Sequence, residues 1–235
     1  MPYRRLPKTD QARIRSLKAI VDKSETKIGE ENPVSLNVVY KARNLLSRME
    51  PAQIHYKQCY DAQSISSKKH QQNVKKARMY VSHFIQVFNM SVMRGEIKSV
   101  MKEMYGLPKE NILPDLISEA NLIEWGKKVV DGEQRRIAQG GIALHNPTIS
   151  KVKVYYDIFV ESHERQKNSQ KITARSLDSI SQMREEADDI ILEAWNQIEK
   201  HFEVIPSAEK RLDKCREYGV IYYYRKGEAE KKLTE

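Results

Sequence analysis

The chain has 235 residues, enough for one large or two small domains, and its 40% hydrophobic and 31% charged residues describe an ordinary globular protein. Two cysteines are too few for a disulfide framework or a metal site, and no apolar run approaches the roughly 18 residues of a spanning helix. The formal charge of +9 lies in residues 1–114, while 115–235 is close to balance, which suits either a polyanion surface or two related surfaces that diverged to pair.

Only 9 Gly and 8 Pro, with many Lys, Glu, Gln, Ala and Leu, favour helix, because straight-chain side chains lose little freedom there. Met1-Pro2-Tyr3-Arg4-Arg5 has basic residues but no apolar stretch after them, so a cytoplasmic, reduced protein without a secretory signal is expected. Thr9-Asp10 announces the first helix as N-cap residues. Ile14, Leu17, Val21 and Ile28 form its apolar stripe, and the cluster from Gly29 to Pro33 ends it.

A second helix is expected from Pro33, with Val39, Ala42, Leu46, Met49, Tyr56 and Tyr60 on its apolar face. Pro51 should kink or split it, since proline deletes a backbone bond and crowds the preceding turn. Ser64-Ile65-Ser66-Ser67 is read as the next break. A third helix then carries Val74, Ala77, Val81, Phe84 and Phe88, continuing through Val92, Val100 and Met104. Gly106-Leu107-Pro108 and Leu113-Pro114 bracket a linker.

The plan then recurs. Leu116, Ala120, Ile123 and Val130 make a fourth helix that Gly140-Gly141 stops. Ile149, Val152, Tyr156 and Phe159 make a fifth, and Leu177, Ile180, Ala187, Ile191, Ala194 and Ile198 a sixth, closed by Pro206. Asn32-Pro33 matches Asn146-Pro147, Ile20-Val21-Asp22 matches Val129-Val130-Asp131, and the segment around Ala77 matches that around Ala187. The reading is an all-α protein of duplicated three-helix units in an up-and-down bundle. Its segments are a basic first repeat (1–114), a near-neutral to acidic second repeat (115–205), and an appendage (206–235). In that appendage a short helix from Glu209 to Glu217 precedes the strand-like Tyr218–Arg225, whose partner is expected to be Tyr3–Pro7 or a second chain.

Chemical motifs are sparse. No histidine has a glutamate three residues before it, as a di-metal helical bundle would need, and Glu161-Ser162-His163 has the wrong spacing. No zinc motif, phosphate-cradling glycine loop or nucleophile elbow occurs, so no catalytic, cofactor-binding or metal-binding residue and no cofactor is assigned. The positive signal is basic: Lys68, Lys69, Lys75, Lys76 and Arg78 could meet a polyanion or a partner. In the repeat alignment Lys75, Lys76 and Arg78 fall opposite Glu185, Glu186 and Asp188, a complementary acidic face that could steer self-association.

The opening from Pro2 to Asp10, with the helix after it and Tyr218-Gly219-Val220 near the end, resembles a group of bacterial helical proteins of no known activity. That resemblance implies a bacterial protein and carries no functional residue. A non-enzymatic scaffold or protein-interaction module that self-associates is therefore expected. The alternative is a nucleic-acid-associated protein using the Lys68–Arg78 surface; no membrane partner is expected.

Overall fold

A computed structural model describes residues 3–26 and 31–224. The protein is all-α. In chain order it contains β1 (Tyr3–Arg4), α1 (Asp10–Glu25), α2 (Leu36–Met93), a 3-10 helix (Ser99–Tyr105), α3 (Glu119–Ala138), α4 (Ile149–Ser181), α5 (Arg184–Phe202), α6 (Ala208–Glu217) and β2 (Tyr222–Tyr223). No helix among the described residues is long and apolar enough to cross a membrane.

The expected second and third helices are one continuous helix, α2. Pro51 does not split it, because Leu45 and Met49 before it are fully buried, and Ala52 and Tyr56 after it pack on the same core. Burying such side chains yields about 1.5–3 kcal/mol each, enough together to offset the roughly 3 kcal/mol proline penalty. Serines 64, 66 and 67 are only mildly unfavourable in helix and break nothing. The true break comes at Met93, before the 3-10 helix that holds Val100 and Met104. Likewise Leu177 and Ile180 end α4 rather than begin the next helix. Ile28, Gly29 and Glu30, and Arg225 in the tail, lie outside the described residues.

Two compact units exist, and they are divided differently from the segments read in the sequence. One comprises Met1–Tyr60 with Ile172–Glu235, the other Asp61–Lys171. The physical reason is that α2 and α4 each continue past the boundary, so each of these helices contributes one stretch to either unit.

In the first unit, α1 is capped by the Thr9 hydroxyl, which accepts from Ala12 N at 3.2 Å. It buries Leu17 and Ile20 in a core shared with Val38 and Leu45 of α2 and with Ile191, Trp195 and Ile198 of α5. Two arginines fasten it. Arg13 reaches both carboxylate oxygens of Asp188 at 2.8 Å, and Arg184 reaches both of Asp10 at 2.8 Å. The expected tail pairing occurs, with Tyr3 opposite Tyr223 and Arg4 opposite Tyr222, antiparallel. The strand is shorter than expected. Tyr218 and Gly219 instead close α6: Gly219 sits at φ 84, and the N–H of Val220 returns to Cys215 O.

In the second unit, α3 starts at Ser118, whose hydroxyl accepts from Asn121 N at 3.1 Å. It stops at Ala138, followed by Gly140 at φ 88 as expected of the double glycine. Leu122 and Val129 of α3 join Val81, Phe84 and Phe88 of α2 and Val152 and Phe159 of α4 in the core. Two helix-interior glycines allow close approach. A Cβ on Gly126 would lie 2.3 Å from the Tyr156 ring, and one on Gly132 would lie 2.6 Å from the Tyr105 ring.

Candidate functional site

The basic segment 65–79 lies on α2 within the second unit. At about 100° per residue, Ile65, Lys68, Lys69, Gln72, Lys75, Lys76 and Met79 fall inside an arc of about 120°. All seven are exposed, whereas His70, Val74, Ala77 and Val81 on the opposite side are buried. Among the described residues no carboxylate pairs with Lys68, Lys69, Lys75 or Lys76. Arg78 stands apart from them: it donates to Leu116 O at 2.9 Å and Ile117 O at 2.8 Å, tying the segment before α3 to α2.

The acidic residues expected to complement this face are mostly engaged elsewhere. Asp188 holds Arg13, and both oxygens of Glu186 hold Arg48, all in the first unit. Glu185 is exposed.

Sequence reasoning missed the one cluster of ligand-type groups that the fold assembles among the described residues. His70 from α2, Glu119 from the first turn of α3 and His163 from α4 present ligand atoms that all lie within 4.8 Å of one another. A single oxygen, Glu119 Oε2, lies 3.0 Å from His70 Nε2 and 2.6 Å from His163 Nδ1. Burial alone would raise the Glu119 pKa, but hydrogen bonds from His163 and His70 outweigh it and hold the carboxyl below its usual range. Both imidazoles lie beside the Phe159 ring, with centroids 6.1 Å away. No local spacing could have found the cluster, because Glu119 stands 49 residues from His70 and 44 from His163.

Ser162 adds a fourth group: its hydroxyl donates to Phe159 O at 2.8 Å, and its oxygen lies 2.9 Å from His70 Nδ1. The order Ser162–His70–Glu119 resembles that of a hydrolytic triad. Ser162 sits in the middle of α4, however, where neighbouring N–H groups are engaged in the helix and cannot stabilise an oxyanion.

A second buried polar group serves structure. Glu133, fully buried on α3, accepts from the Tyr105 hydroxyl, from Arg136 Nε and Nη2 at 2.8 Å each, and from Leu144 N at 3.2 Å. Arg136 Nη2 also donates to Ile142 O at 2.6 Å. The network fixes the 3-10 helix and the loop after α3, and it borders a cavity of about 620 Å³. Every oxygen of this buried carboxylate has a partner, as the low local dielectric demands. A comparison with known family models, curated proteins and solved structures finds no match to this chain.

Proposed function

We propose that the protein is a non-enzymatic helical scaffold and interaction module that docks an acidic, partly apolar protein segment on the α2 face between Ile65 and Met79. The observation that carries this reading is four lysines without a carboxylate partner among the described residues, flanked on one helix face by exposed apolar side chains, Ile65 at 73% and Met79 at 54% exposure. Lysines give such a face its sign and its rate of encounter, while apolar anchors give it residence. The same lysines support a second reading, nucleic acid, in which binding comes from phosphate neutralisation and falls steeply with salt.

One pair of titrations separates the two. A fluorescent helical peptide carrying Glu and Leu on one face, and random duplex and single-stranded DNA, are each titrated with the full chain. Docking predicts that Lys75→Glu/Lys76→Glu and Met79→Ser each weaken the peptide at least about tenfold, or about 1.4 kcal/mol. DNA binding that survives Met79→Ser but not the lysine reversals favours the second reading. No binding of either probe at low salt removes both.

Duplication is part of this proposal, and equivalent positions support it. Thr9 and Ser118 cap the two short helices, and each is followed by an acid, Asp10 or Glu119, that takes cationic or imidazole partners from longer helices. Ala77, Val81, Ile85 and Phe88 are fully buried, as are Ala187, Ile191, Trp195 and Ile198 at the matching places.

A further inference from the structure

We propose that His70, Glu119 and His163 bind one divalent transition-metal ion of the zinc class. The site is independent of the docking face and lies on the opposite side of α2. Two imidazole nitrogens and one carboxylate oxygen form the donor set that zinc and its neighbours prefer, whereas calcium and magnesium take oxygen ligands throughout.

The hydrogen-bond arithmetic around His70 points the same way. With the single Ser162 hydroxyl proton given to Phe159 O, the tautomer that completes the network has His70 Nδ1–H donating to the Ser162 oxygen 2.9 Å away. In the neutral ring this leaves a bare lone pair on Nε2, aimed at a carboxylate oxygen 3.0 Å away. Two acceptors facing each other need a cation between them, either a proton on the ring or a metal ion. A ring whose second nitrogen is fixed by an outer hydrogen bond is the usual preparation of a metal ligand.

The surroundings suit an ion as well. His70 is 5% exposed, and the Phe159 ring beside both histidines makes a dry wall, which strengthens ligation. The Glu119 side chain is 39% exposed, which provides an entry path and a side on which solvent supplies the remaining ligand. Tetrahedral ligation at about 2.0–2.2 Å sets ligand atoms about 3.3 Å apart. The pairs at 3.0 and 2.6 Å must therefore open by about 0.3 and 0.7 Å, which a rotation of the half-exposed Glu119 side chain supplies.

The test is a titration of the chelator-treated full chain with Co(II), followed by visible absorption, and then displacement by Zn(II). The expected result is one equivalent bound. Glu119→Gln and His163→Gln should abolish the signal, Ser162→Ala should lower affinity about 10- to 100-fold, and exposed His83→Gln should change nothing. Imidazole NMR of the unmutated chain gives a readout that does not depend on any variant folding: of six histidines, Zn(II) should move only His70 and His163. Absence of one-equivalent binding overturns the proposal and leaves a proton between His70 and Glu119. Binding that persists in both Glu119→Gln and His163→Gln, or shifts confined to other histidines, overturns it equally.

Discussion

At the scale of single residues, the second unit depends on Glu133. Removing this carboxylate by Glu133→Ala strands a buried guanidinium, Arg136 at 5% exposure, and frees the Tyr105 hydroxyl and Leu144 N. The expected loss is about 3–5 kcal/mol in urea denaturation; a loss below about 1 kcal/mol would show the network to be incidental. The same contacts act on pH. Burial first, and then the hydrogen bond to Glu133, pushes the Tyr105 phenol above its ordinary value. Tyr222 is raised in the same way by burial and by Glu199. Unfolded phenols release protons near pH 10 while these two stay protonated, so stability is intact below about pH 10 and declines as pH rises beyond it. Alkaline titration followed by tyrosinate absorbance should therefore show at least two phenols, Tyr105 and Tyr222, that ionise only as the helical signal is lost; their ionisation with the helices intact would contradict the assignment. Residues of this kind were invisible in the sequence, because Glu133 and Arg136 look like any charged pair three apart on a helix. Only burial reveals their function.

Elements were legible where local chemistry decides them. Thr9-Asp10 marks the start of α1, Gly140 the end of α3, and Tyr3 to Tyr223 the paired tail, since capping, positive φ and strand propensity act over a few residues. Where tertiary packing overrides a local signal, the sequence misleads. Pro51 predicts a break in α2 that buried neighbours suppress, while the serines at 64, 66 and 67 cost too little to make one. An exposed proline inside a packed helix is a liability. Pro51→Ala restores a backbone donor, and we expect it to raise stability by about 1–2 kcal/mol after the larger conformational freedom of the unfolded alanine chain is deducted. Destabilisation on chemical denaturation would mean instead that the core of the first unit requires the proline's local geometry.

For the whole molecule, a recurrence of prolines, caps and apolar triplets is readable in the sequence, but the way the parts combine is not. The first unit joins two stretches far apart in the chain, and the signal for that lies in contacts some 175 residues apart. The ligand cluster was hidden for the same reason, since it forms only when α2, α3 and α4 of one unit meet. The charge asymmetry is a property of the sequence, and of the acidic residues set against it Asp188 and Glu186 hold α1 and α2 within the first unit. A double-mutant cycle of Arg13→Ala and Asp188→Ala in the intact chain examines this exchange directly. The fold described predicts a coupling energy of about 0.5–3 kcal/mol between the two positions in urea unfolding. Strict additivity of the two single losses would contradict it.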